Sequence, residues 1–369
     1  MKISILLPYK ENFSPQYPGA VSIFLNAVTK LSKYRNAITV YGSTQFKEKY
    51  NIKYVNIEIP QKILGIGSQT NNYINKFIEL EKKNPSDVIE VHNRPLYVLL
   101  MSSNKVKKVL YFHNDPLSMN GSKNKEERLF LLDHCSKVVF NSEWSKKRFL
   151  TSLNEIYKKS EKLIVVQQST KKQKINLDKK QKLITFVGKL NKAKGYDVFG
   201  SAIIDILNKY KDWKAIVIGD EEREKHNFKH KNLNILGFQH HTKVLQVLKL
   251  TTISVVCSRW EEPFGRTSLE SSSCGCAVII TNRGGLPETI TNGVIVEKLN
   301  KSSIYSAIEN LILDKKGRLN FQKLSLKNFI YTNKHASNLI DSYRDKITKN
   351  VIKVKKKKLK ILHVTNFNE

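Results

Sequence analysis

Residues 258–288 read SRWEEPFGRTSLESSSCGCAVIITNRGGLPE. Two carboxylates, Glu262 and Glu270, stand with seven residues between them, and Gly265-Arg266-Thr267 sits where a turn would open into a helix. A helix start offers unpaired backbone N–H groups and the positive end of the helix dipole, both suited to a diphosphate. Glu262, at the strand-to-helix turn, is then near the phosphate-proximal part of a ligand. Glu270, about one turn into the helix, is placed to accept two hydrogen bonds from a ribose diol. Helix capping by Glu262 and plain solvation of Glu270 are the competing reading, which the two carboxylates alone do not exclude. A second segment, Val187-Gly188-Lys189-Leu190-Asn191-Lys192-Ala193-Lys194-Gly195, puts lysines in a loop between an apolar strand and a helix start. Cations at the carboxyl end of a strand are well placed to bind phosphate.

The elements that must position these residues repeat along the chain. Short apolar runs at residues 3–7, 38–41, 54–59, 88–91, 109–112, 138–140 and 163–166 read as strands, with helical patterns between several of them, such as Val21, Phe24, Leu25, Val28 and Leu31. Their interiors are mostly apolar rather than strictly alternating, as suits strands buried on both faces of a parallel sheet. The polar stretch 171–182 (KKQKINLDKKQK) reads as a linker. The pattern then restarts at 183–187, 215–218, 233–236, 253–257 and 277–280, with a core stripe of Val198, Phe199, Ala202, Ile203, Ile206 and Leu207 after its first strand. Two consecutive β/α units imply two doubly wound domains whose sheets face each other across a ligand cleft. Residues 326–347 read as one or two terminal helices, 353–360 (KVKKKKLK) as a basic tether, and 360–366 as a further strand and loop that can be laid over residues 2–8.

In order and spacing, the EPFGxxxxE stretch, the small residues CGCAV, the GGLPE loop and the VGKLNKAKG loop resemble the retaining, GT-B-fold nucleotide-sugar glycosyltransferases of glycosyltransferase family 4. The resemblance covers residues 1 to about 345, with weaker matches at Ile218-Gly219-Asp220 and Leu236-Gly237-Phe238. It implies an α/β GT-B architecture of two Rossmann-like domains: residues 1–168 on the acceptor side, 169–330 binding the nucleotide sugar, a terminal helix 331–350 packing back on the first domain, and the tether 351–369. It further implies that Lys189 and Lys194 grip the diphosphate, that Glu270 holds the ribose hydroxyls, and that Glu262 contacts the donor sugar. Backbone N–H groups of Gly265, Arg266 and Thr267 would hold phosphate and sugar oxygens, and Phe238 falls in the region of the base. His113, in Tyr111-Phe112-His113-Asn114-Asp115, would face the sugar from the first domain, and Gly19 would lie in a loop that closely approaches donor or acceptor. The chain departs from the family in having Gly19-Ala20 for two glycines, Lys189 where arginine is commoner, and Cys257 for a frequent proline. A lysine is a point charge where an arginine offers a two-pronged fork.

The resemblance implies a hexose moved from a nucleotide sugar, as substrate, to a hydroxyl of a surface glycan or glycolipid, without metal or other cofactor. No zinc-like or carboxylate cluster is evident: His226 and His230 lack a third ligand, and His240-His241 reads as solvated and alone. His92, placed after a strand much as His113 is, is left out of the expected site.

Composition narrows the remaining classes. The chain has 369 residues, 40% hydrophobic and 26% charged, so it carries too much apolar sequence to be disordered. Lys+Arg 64 against Asp+Glu 32 gives +32. That charge motivates a rival reading as a nucleic-acid- or anion-binding protein, but no helix-turn-helix, zinc-finger or aromatic RNP-like pattern accompanies it, so no specific nucleic-acid partner is expected. A GT-B sugar-nucleotide epimerase or an inactive sugar-binding paralogue is the other alternative. Four cysteines at unpatterned spacings suit a reducing compartment, the opening apolar run is too short for a signal-peptide core, and no run approaches a membrane span. A cytoplasmic enzyme is expected, with the basic charge favouring peripheral contact with the anionic inner face of the cytoplasmic membrane.

Overall fold

The computed structural model describes residues 1–59, 68–224 and 226–362. The first sheet has seven strands: β1 (Ile3–Leu6), β2 (Ile38–Gly42), β3 (Tyr54–Asn56), β4 (Val88–His92), β5 (Lys107–Phe112), β6 (Cys135–Phe140) and β7 (Leu163–Val165). Their order is β3-β2-β1-β4-β5-β6-β7 and every pairing is parallel. The second sheet holds β8 (Gln181–Val187), β9 (Lys214–Ile218), β10 (Leu233–Ile235), β11 (Thr251–Val256), β12 (Ala277–Thr281) and β13 (Val294–Val296). It repeats the plan as β10-β9-β8-β11-β12-β13, again all parallel. Helices cover both faces, so β1, β2, β4 and β12 are buried along their whole length, which explains why most of their residues are apolar. The chain reverses direction across each sheet between β1 and β4 and between β8 and β11, the points where doubly wound sheets open a crevice at their carboxyl ends.

The 171–182 stretch is not all linker. β8 begins at Gln181, and Lys180 Nζ donates to the carbonyls of Leu248 (3.0 Å), Thr251 (2.6 Å) and Cys274 (2.7 Å). An ammonium satisfied by three carbonyls ties structure together, although by composition it belongs to a solvated run.

The final helix, Asn333–Leu362, crosses back to the first sheet. Its Ala336, Ile340, Tyr343 and Ile347 pack with Phe24 and Val28 of the Ala20–Thr29 helix and with Val88, Val109, Tyr111 and Val139 of the strands. Under this layer Arg344 donates through Nε and Nη2 to both carboxylate oxygens of Glu90, each at 2.7 Å, with both side chains buried. A buried charge left without its partner costs about 3–5 kcal/mol, so this pair fixes where the helix docks. The helix runs on through Leu362, correcting the expectation of a tether from residue 351; lysine is a good helix former, and 351–362 contains neither glycine nor proline. Residues 363–369, which hold most of the expected further strand and loop, lie outside the described residues. No helix among the described residues is long and apolar enough to cross a membrane.

Candidate active site

A cleft of about 240 Å³ lies at the carboxyl ends of the two sheets. The second half lines it with Val187 and Gly188 at the end of β8, Lys194, Ser258 just past β11, and residues 262–267; the first half contributes Ala20, His113, Asn114, Asn141 and Gln168. Of the residues singled out in the sequence, His113, Lys194, Glu262, Gly265, Arg266 and Thr267 therefore share one space.

Lys194 is held by its backbone. Asn191 Oδ1 accepts from Lys194 N (3.0 Å), and Gly195 follows in the left-handed region at φ 71°. A Cβ on Gly195 would come 1.9 Å from the Cys257 carbonyl, so the β8 loop can sit against the end of β11 only with glycine there. Arg259 N and Trp260 N both donate to the Ala193 carbonyl (2.9 and 3.0 Å), completing the clamp. Lys194 Nζ forms an ion pair with Glu262 Oε1, and Ser258 Oγ donates to the same oxygen at 2.8 Å. The expected phosphate cation and the expected sugar-binding carboxylate are thus partners of each other.

Glu262 is fixed from the other side by the GGLPE loop. Gly284 has φ 58°, and a Cβ there would lie 2.2 Å from the Glu262 carbonyl, which in turn accepts from Gly285 N at 2.6 Å. The loop ends at Glu288, whose carboxylate reaches the first half of the molecule and accepts from Glu143 N (2.7 Å) and Trp144 N (2.8 Å) at the start of the Glu143–Leu150 helix. Ser142 Oγ donates to the Pro263 carbonyl at 2.5 Å beside it. Burial lifts the Glu288 carboxyl above its usual range, against the pull of those two N–H donors.

Glu270 sits one turn inside the Arg266–Ser273 helix and is buried. Its Oε1 lies 2.7 Å from both His241 Nε2 and Arg266 Nε. Burial pushes this carboxyl up, but Arg266 and His241 outweigh it and hold the group below its usual range. His241, expected to stand alone in solvent, is therefore a partner of Glu270: it opens the His241–Leu250 helix, which packs beside the helix that carries Glu270. Glu270, Lys189, Phe238 and Gly19 are not among the residues lining the cleft. Lys189 is exposed, with no ion pair among the described residues. Phe238 is half exposed and meets Tyr17 of the first half, ring centroids 5.4 Å apart. The space over Gly19 is taken by Glu11, whose carboxylate would lie 2.3 Å from an added Cβ and accepts from Ser22 N at 2.9 Å. The close approach at Gly19 is thus made by a residue of the same loop.

On the opposite wall, His113 Nε2 lies 3.0 Å from His92 Nδ1, and both rings are buried. Their strands, β5 and β4, are neighbours, and the carboxyl ends bring the two histidines together. Asn93, in the left-handed region at φ 55°, accepts through Oδ1 from His113 N and Asn114 N, each at 3.1 Å. Burial lowers His113 to about 4, and burial, His113 and Arg344 lower His92 well below the ordinary histidine value. His92, left out of the expected site, is its direct support. The signal was available: one strand ends in histidine and the next strand of the chain is followed directly by another. Among the described residues, no group of three or more His, Cys, Asp or Glu is placed to hold a metal ion.

Residues 167–327 match the family model Glycosyl transferases group 1, so the half that carries Lys194 and Glu262 is a domain of that type. Over 352 residues the chain is 23% identical to spore coat protein SA of Bacillus subtilis (strain 168), covering 85% of this chain and 90% of that protein. It is 27% identical over 313 residues to uncharacterized glycosyltransferase MJ1178 of Methanocaldococcus jannaschii, covering 80% and 85%. The crystal structure of Anabaena HepE with UDP-glucose superposes with a TM-score of 0.72 at 16% identity, over 94% of this chain and all of that one. The fold is GT-B, with two Rossmann-like domains facing across a cleft.

Proposed function

We propose that this chain is a retaining glycosyltransferase of the family 4 type, moving a hexose from a nucleoside diphosphate sugar to a hydroxyl of a surface glycan or glycolipid. The observation that carries the reading is one cleft joining Lys194, Glu262 and the mouth of the Arg266–Ser273 helix to His113 of the opposite sheet. The helix mouth and the two lysines, Lys189 and Lys194, bind the diphosphate, and the negative charge that grows on it as the anomeric bond breaks is stabilised there. Glu262 releases Lys194 to the phosphate and turns to the donor sugar; Glu270, already oriented by His241 and Arg266, receives the ribose diol. Phe238 serves the base, and the Gly19 loop approaches the donor or the acceptor. The acceptor hydroxyl attacks the anomeric carbon from the face of the leaving group, the bond from that carbon to the diphosphate oxygen breaks, and the hydroxyl proton passes to the departing phosphate. His113, neutral at physiological pH, serves as a hydrogen-bonding partner of the sugar. The work is done without a metal, on the cytoplasmic side, with the basic surface meeting anionic lipid at the membrane.

HepE is solved with UDP-glucose, which makes UDP-hexoses the first donors to test, before GDP- and ADP-hexoses. Release of the nucleoside diphosphate from one of them, unchanged by EDTA, is the expected result. Epimerised donor with no nucleotide released, or no turnover of any donor, overturns the reading, and loss of rate in EDTA overturns its metal-free form.

A further inference from the structure

Gln168 follows β7, where the chain leaves the first sheet for the second. Its backbone is anchored on both sides. Val166 N donates to the Phe140 carbonyl (2.8 Å), and Thr170 pairs with the returning segment, donating to the Tyr331 carbonyl (3.1 Å) and accepting from Asn333 N (3.2 Å). The residue is only 6% exposed, yet it lines the cleft with His113, Lys194 and Glu262. Among the described residues its amide has no hydrogen-bond partner. It is also absent from the sealed orphan atoms of the interior, which include His113 Nδ1 and His92 Nε2, so what the amide meets is the space of the cleft. A buried polar group without a partner costs free energy, and proteins keep such groups where a ligand or water completes them. A neutral amide both donates and accepts, which matches a hydroxyl rather than a phosphate. Of the other two amides of this wall, Asn114 is exposed, and Asn141 is already committed, donating to the His113 carbonyl at 2.9 Å and accepting from Ser145 Oγ at 2.8 Å.

We infer that Gln168 is a specificity-determining residue that reads a sugar hydroxyl in the cleft through its side-chain amide. This rests on the proposed function for the identity of the ligand as a sugar, whereas the preformed, unpartnered amide stands on the geometry. A site built to hydrogen-bond a hydroxyl rejects the analogue lacking it, because its buried group is then left unpaired.

The test compares Gln168→Leu and Gln168→Ala with the full wild-type chain. Thermal unfolding without ligand is expected to be unchanged or higher for Gln168→Leu, because the substitution removes an unpaired amide. A fall of several degrees in both variants marks a structural role and overturns the inference. With the donor that the wild type turns over, kcat/KM is expected to drop about 5- to 100-fold, the range for an unpaired buried hydroxyl. The variants should also lose the wild type's discrimination against one monodeoxy analogue of the hexose. An unchanged kcat/KM, or discrimination fully retained on both substrates, overturns it. If the hydroxyl belongs to the donor, release of nucleoside diphosphate without acceptor falls as well; if it belongs to the acceptor, only transfer falls and the lost discrimination is against acceptor analogues. Absence of turnover in the wild type would defeat the proposed function, leaving the unfolding comparison to decide this inference by itself.

Discussion

In the second half of the molecule Lys194 and Glu262 are held by backbone that only glycine permits: Gly195 against the Cys257 carbonyl and Gly284 against the Glu262 carbonyl. In the first half His113 is held by side chains, its ring by His92 and its backbone by Asn93. The strand order is the same in both, apart from a seventh strand that ends the first sheet. Positions fixed by glycine and loop geometry leave a linear pattern, whereas positions fixed by a neighbour on the next strand are distant in sequence. The difference also divides the chemistry, with fixed charge and helix-mouth donors on one wall and neutral hydrogen-bonding groups on the other.

Substitutions on the two walls should therefore fail differently. Lys194→Ala is expected to lower kcat/KM by about 10²–10³-fold, the usual loss for one group that stabilises developing charge, and to weaken binding of the nucleoside diphosphate alone. His113→Ala is expected to lower kcat/KM by about 5- to 10-fold, the scale of one neutral hydrogen bond, and to leave nucleoside diphosphate affinity unchanged by calorimetry. Equal losses of nucleotide affinity on both walls would break the division.

The walls meet at Glu288, which terminates a loop of one half and caps a helix of the other. Glu288→Ala should cost about 1 kcal/mol in urea unfolding, as for loss of a helix cap. If the cap also sets how the halves face each other, the substitution will raise KM for the acceptor more than for the donor nucleotide. Unchanged unfolding would mean that this contact carries no stability.

The smallest expected effect is on pH. His113 is held near 4 when folded and titrates near 6.5 when unfolded, so between these values the unfolded chain binds more protons. Stability from this group is complete above about pH 6.5 and is lost as pH falls toward 4. His92, also lowered by burial, acts in the same direction. His113→Asn should flatten the slope of unfolding free energy between pH 6.5 and 4 relative to the wild type; an unchanged slope would place the ring in water.

The same contrast decides what could be read from the sequence. The central strands of both sheets were legible as apolar runs because they are largely buried; of the three-residue edge strands, β3, β7 and β10 were read as well, whereas β13, with Ile295 exposed, was not. Lys194, Glu262 and residues 265–267 were legible through two short continuous motifs, and the structure brings them into one cleft. Three residues were not legible, each for a reason of composition or distance. Lys180 looks like one more solvated lysine until three carbonyls surround it, Gln168 sits in a polar run at the chain crossing, and His241 is 29 residues from the Glu270 it contacts.

The central claim is that the charged wall takes the diphosphate and the neutral wall the sugar. A crystal structure of the chain with the nucleotide sugar it turns over tests this most directly. The account predicts diphosphate oxygens within hydrogen-bond distance of Lys194 Nζ and the backbone N–H groups of residues 265–267, with the hexose between Glu262 and His113. A donor bound outside this cleft, or one seated in it with its phosphates toward His113, would contradict the account.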